Sequence, residues 1–140
     1  MIERTQIFVN GKWVGSSGKD VITVINPATE EPFATVPRGS AEDVDRAAQA
    51  AAGAFASWSQ SSLQERVEAF TKLARLTEAR AEEITRTIVG ELGYPAAWAA
   101  KSQTAGAAEE LDIIAESLRD ISWAEQVGNT QVRREPSGVV

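Results

Sequence analysis

The chain has 140 residues, 43% hydrophobic and 24% charged, with 14 basic against 20 acidic side chains for a net charge of −6. It contains no cysteine and no histidine. That excludes thiolate nucleophiles, disulfides, zinc ribbons, imidazole bases and histidine metal sites. The length suits one ordinary domain, and the acidic balance, with no basic stripe, argues against nucleic acid as a partner.

Up to about Pro37 the sequence predicts strands and turns. Ile7, Phe8 and Val9 precede Asn10-Gly11, and Lys12, Trp13 and Val14 follow it. Asn-Gly supplies the two positive-φ positions of a tight hairpin turn. A loop over Gly15 to Gly18 leads into the strand Val21 to Ile25, β-branched throughout. Asn26-Pro27 ends it, because proline lacks a backbone donor. A turn over Ala28 to Pro32 and a short strand, Phe33 to Val36, complete this part.

The remainder is predicted to be mostly helical. Ser40 caps a helix running to about Ala56, with Glu42 and Asp43 in its first turn. Val44, Ala47, Ala48, Ala51, Ala54 and Phe55 form its apolar stripe, small enough for close packing. Ser62 and Glu65 make a capping box for a second helix, with Val67, Phe70, Leu73 and Ala74 as its buried face. The pattern allows a bend near Arg80 without placing it. Ile84, Ile88, Val89 and Leu92 carry the next stripe, which Gly93 and Pro95 terminate. One further helix is expected over about Ala96 to Asp120. Thr130 to Pro136 reads as extended, and Ser137 to Val140 as the opening of an apolar strand, which suggests a cut chain.

The usual catalytic motifs fail. Gly15-Ser-Ser-Gly18-Lys19 lacks both the upstream glycine and the following hydroxyl of a phosphate loop. No dinucleotide fingerprint opens a helix after a strand. The acid pairs Glu30-Glu31, Glu82-Glu83 and Glu109-Glu110 are sequence neighbours, which on a helix point about 100° apart. Glu91, at a helix end, reads as a surface acid or a cation ligand. Trp13, Trp58, Trp98 and Trp123 are not interleaved with basic residues, so they read as packing anchors. No signal peptide and no apolar run of membrane-spanning length is visible, so a cytoplasmic protein with no membrane partner is expected.

The ordered fragments together resemble a known family. They are Ile7 to Val14, Val24 to Glu31, Ala54-Phe55 with Trp58, Arg66, Leu73-Ala74, Glu91 to Pro95 and Arg134 to Val140. In order and spacing they resemble the N-terminal portion of NAD(P)-dependent aldehyde dehydrogenases over essentially the whole chain. Tyr94 departs from the lysine common in that family's Glu-x-Gly-Lys-Pro segment, which could mark an unusual subfamily.

The resemblance implies an α/β fold. An N-terminal hairpin and short strands precede a helical layer, as an incomplete part of a coenzyme-binding domain with the first oligomerisation strand. Residues 1–122 would belong to the coenzyme-binding domain, 123–136 to the oligomerisation segment, and 137–140 to the first strand of the coenzyme-binding sheet. In the family a cysteine attacks the aldehyde, a nicotinamide accepts hydride, and a glutamate-activated water releases the acid. None of those catalytic or cofactor-binding residues has a counterpart here. NAD or NADP and a small aldehyde would be ligands of the full-length, homo-oligomeric enzyme only, and this chain alone would be inactive. Some members hold a monovalent cation, which by position would involve the Ile25 carbonyl and Glu91. The alternatives are a standalone interaction module, pairing through Gln131 to Arg134, and an acyl-transfer branch of the superfamily.

Overall fold

The computed structural model describes all 140 residues. Two short strands, β1 (Ile2–Glu3) and β2 (Gln6–Val9), precede β3 (Lys12–Gly15), β4 (Val21–Ile25) and β5 (Pro32–Pro37). The strands β2 and β3 form the expected antiparallel hairpin, with Ile7 opposite Val14 and Phe8 opposite Trp13. Its turn places Asn10 at φ 52° and Gly11 at φ 74°, the backbone that Asn-Gly favours. The Phe8 and Trp13 rings meet edge to face, 5.3 Å between centroids. In the other sheet the order is β1-β5-β4, with β1 parallel and β4 antiparallel to β5.

The helices are α1 (Ala41–Trp58), α2 (Leu63–Ala79) and α3 (Ala81–Leu92), followed by a composite helical stretch from Ala96 to Asp120. Both serine caps form full boxes. Ser40 Oγ accepts from the Asp43 amide while the Ser40 amide donates to the Asp43 carboxylate, and Ser62 and Glu65 do the same. Near Arg80, where the pattern allows a bend, the helix breaks into α2 and α3. Arg80 sits there at φ −107°, ψ 15°, and its guanidinium grips Glu83 through two hydrogen bonds. Gly93 caps α3 at φ 69°, as its sequence position predicts.

The expected single helix after Pro95 is not uniform. A turn α4 (Ala96–Trp98) runs into a wider π-helical segment, Ala99–Ala105, before α5 (Gly106–Ser117) and a 3₁₀ turn, Leu118–Asp120. The wider winding carries Thr104 into the interior, 1% exposed, where its hydroxyl pairs with that of Thr85 at 3.0 Å. Periodicity alone gives no sign of it.

The core lies where α2, the π segment and α5 meet. Its fully buried apolar side chains there are Val67, Ala74, Ala99, Ala108 and Ala115. Small residues let these helix backbones approach closely. Leu73, expected in the α2 stripe, is instead half exposed. A larger departure concerns α1. Its predicted stripe is uncovered, with Val44 66% exposed and Ala47, Ala48 and Ala51 open to solvent. The pattern shows that a helix face is suited to burial but not what covers it, and here α1 leans mainly on β2.

After Trp123 the chain forms a second hairpin rather than one extended strand. Its strands are β6 (Ala124–Val127) and β7 (Thr130–Arg133), and every residue of both is exposed. Gly128, at φ 61°, opens its two-residue turn. Ser137 to Val140 pair with no strand. The whole chain exposes 10576 Å², whereas a self-contained chain of this size is expected to expose about 7,000 Å².

Candidate functional site

The residues proposed from sequence as cation ligands lie at the ends of β4 and α3. Ile25 ends β4 at a register shift, and the chain then turns through Asn26-Pro27. The turn closes on itself: the Ala28 amide donates to Asn26 Oδ1 at 2.9 Å, and the Glu30 amide donates to the Asn26 carbonyl at 2.8 Å. Glu30 takes φ 59° to allow it.

Glu91 is the penultimate residue of α3, between two glycines that set how the helix approaches the sheet. A Cβ on Gly90 would lie 2.5 Å from the Phe33 ring, so α3 seats on β5 through that bare backbone. A Cβ on Gly93 would lie 2.7 Å from Pro27 Cγ, so the helix end abuts the Asn26-Pro27 turn. The structure therefore brings the Ile25 and Glu91 segments together. Glu91 has no salt-bridge partner, and no three acids gather anywhere in the chain.

Two polar clusters join residues distant in the sequence. The first centres on Asp43, 3% exposed at the start of α1. Its carboxylate accepts from the Ser16 hydroxyl, the Ser40 and Ser17 amides at 3.0 Å each, and Arg46. The Ser16 hydroxyl and then the two amides hold the carboxyl far below the ordinary range, against the opposing effect of burial. This cluster fastens the loop after β3 to α1. Its signal was Ser40-x-x-Asp43, a capping box with aspartate in place of glutamate.

The second cluster centres on Arg66. Its guanidinium donates to the Trp58 carbonyl at 3.0 Å and lies 5.4 Å from the Trp58 ring centroid and 5.8 Å from that of Trp123. It joins the end of α1, the start of α2 and the segment before β6.

A cleft of about 520 Å³ is lined by Glu3, Arg4, Thr5, Trp13, Arg80 and Glu83 among others. Its charges balance, and Arg80 already pairs with Glu83. The chain has neither cysteine nor histidine, so no cleft holds a thiolate nucleophile or an imidazole base.

Comparison with known proteins gives a consistent result. The family model described as "Aldehyde dehydrogenase family" matches residues 13–140. A 3-succinoylsemialdehyde-pyridine dehydrogenase from a Pseudomonas species is 36% identical over 140 residues, covering 99% of this chain and 29% of the relative. The crystal structure of aldehyde dehydrogenase C from Pseudomonas syringae, in complex with NAD+ and octanal, superposes with a TM-score of 0.91 at 36% identity. That match covers 94% of this chain and 27% of the other. An aldehyde dehydrogenase from Mycobacterium tuberculosis, complexed with NAD+, gives 0.88 at 30% identity, over 96% of this chain and 29% of the other. The chain thus spans less than a third of the length of these relatives.

Proposed function

The chain belongs to the aldehyde dehydrogenase family, and from that premise we propose that it supplies the N-terminal portion of an enzyme oxidising an aldehyde to a carboxylic acid. NAD or NADP would accept the hydride, in a longer polypeptide working in the cytoplasm. The observation that carries this reading is the family match over residues 13–140 within 29% of a relative's length. The exposure of large apolar side chains such as Phe8, Val44 and Trp98 supports it, because such faces are suited to covering. In the family's chemistry a cysteine thiolate adds to the aldehyde carbon, and no cysteine stands here. This portion would serve as scaffold: α2, α3 and α5 form a helical layer, and β6–β7 begins an oligomerisation element.

The test is direct. The purified 140-residue chain, given NAD+ or NADP+ and a panel of aldehydes, is expected to form no reduced nicotinamide. Steady turnover by this chain would overturn the reading.

The cation site rests on the same family premise. The Ile25 carbonyl and the Glu91 carboxylate would contribute oxygen ligands to a monovalent cation, alongside others outside this chain. Sodium chloride is expected to raise the thermal midpoint of the longer enzyme above that in choline chloride at equal ionic strength. Glu91→Gln should remove the difference, and a difference that survives the substitution would dismiss the site.

One observation favours a second reading, a non-catalytic pairing module. The hairpin β6–β7 pairs with no other strand and has no extensive packing on another element, and its outer strand edges are open. A lone two-stranded hairpin is marginally stable in water, so its edges suit addition to another sheet. Sedimentation separates the readings: a discrete oligomer with one cooperative melt favours the module, and a folded monomer favours the scaffold.

A further inference from the structure

We infer that the cleft between the α1–α2 link and the segments flanking the β6–β7 hairpin binds an oxyanion through Arg66 and Arg134. This cleft of about 270 Å³ is lined by Ser59, Ser61, Arg66, Trp123 and Arg134 among others, with no acid in its wall. The protein carries 20 acids against 14 bases, so a carboxylate partner for any given arginine would be ordinary. Yet the three ion pairs of the chain involve Arg46, Arg80 and Arg86, and neither arginine of this cleft. Two guanidiniums that share one cleft repel each other, and an anion between them reverses the sign of that interaction.

The groups are also set for binding. Arg66 lies 5.4 Å from the Trp58 ring centroid and 5.8 Å from that of Trp123, with one terminal nitrogen on the Trp58 carbonyl. Arg134 is tied at its base: its amide donates to the Trp123 carbonyl at 2.9 Å and its Nε to the Ser122 carbonyl at 3.2 Å. Its two terminal nitrogens have no partner within the chain. Both side chains therefore present donors from a fixed base, so little conformational entropy is lost on binding. Guanidinium forks match the paired oxygens of phosphate or carboxylate. This inference is independent of the dehydrogenase reading, because no catalytic group takes part.

Trp58 and Trp123 provide the readout. The 140-residue chain is titrated with sodium phosphate, and separately with sodium acetate, at ionic strength held constant with sodium chloride. Tryptophan fluorescence is expected to change saturably. Saturation by phosphate alone identifies a phosphoryl group as the ligand, and saturation by both anions identifies oxyanions generally. Arg134→Gln should weaken the affinity about tenfold or more, since it removes a charge-assisted hydrogen bond. Arg134→Lys, which keeps the charge but not the fork, should fall between. Absence of a saturable response to either anion overturns the proposal, as does an unchanged affinity in Arg134→Gln.

Discussion

Two alanine-rich helix faces in this chain meet opposite fates. Ala74 on α2 and Ala108 and Ala115 on α5 are buried where those helices cross beside the π segment. Ala47, Ala48 and Ala51 on α1 lie open to solvent. Both sets carry small side chains on helices, and another element of the chain lies against only one of them. Helical periodicity reports that a face is suited to burial, and a partner within reach decides whether it is buried.

The largest expected effect separates the faces by size. Ala115→Leu forces extra volume between α2 and α5, and overpacking of this kind costs about 1–3 kcal/mol. Ala48→Leu on α1 should change stability by less than about 0.5 kcal/mol. Urea midpoints of the two variants, at unchanged slope, check the contrast. Equal midpoints would show that the two faces do not differ in packing.

A somewhat smaller effect tests how α3 seats on the sheet. Alanine is the better helix former by about 0.8–1 kcal/mol, so propensity alone favours Gly90→Ala. The added Cβ would stand 2.5 Å from the Phe33 ring, and the clash should outweigh that gain, for a net loss of about 1 kcal/mol. Phe33→Leu in the same chain should restore part of it. A stabilised Gly90→Ala would mean that α3 does not sit on β5 this closely.

Local chemistry was legible in the sequence, and the pairing of distant parts was less so. The Asn10-Gly11 turn, the Ser62–Glu65 cap and the Gly93 terminus are each set by one to four neighbouring residues, and each occurs as expected. The second hairpin also had a local signal, Gly128-Asn129, which an extended reading of Thr130 to Pro136 left unused. The π segment had none, because its cause is tertiary: it delivers Thr104 to Thr85, a residue on another helix. Of the proposed cation ligands, the sequence supplied the identities, while Gly90 and Gly93 against Phe33 and Pro27 explain why their segments meet.

Acid should loosen α1 from the loop after β3 before it disturbs the α2–α5 core. The folded state holds Asp43 far below its ordinary value of 3.8. Its stabilising contribution is therefore complete above that value and is lost as pH falls toward the folded value. Asp43→Asn should be less stable than the parent at neutral pH, and the two thermal midpoints should draw together in acid. Glu65 and Glu83 are also lowered, by the Ser62 amide and by Arg80, so the variant keeps a shallower acid limb. Parallel profiles would remove Asp43 as the link.

The smallest expected effect asks most of the comparison. Val44→Glu places a charge on the uncovered face of α1, where the side chain is already 66% exposed. In the 140-residue chain the charge stays hydrated, so the thermal midpoint should stay within error of the parent. In the longer enzyme proposed above, that face would be covered, and an unpaired buried carboxylate is among the costliest substitutions a core can take. The same substitution should then reduce soluble enzyme and its dehydrogenase activity sharply. Tolerance in both contexts would mean that the α1 face is a permanent surface. Damage in both would mean that α1 already packs within this chain.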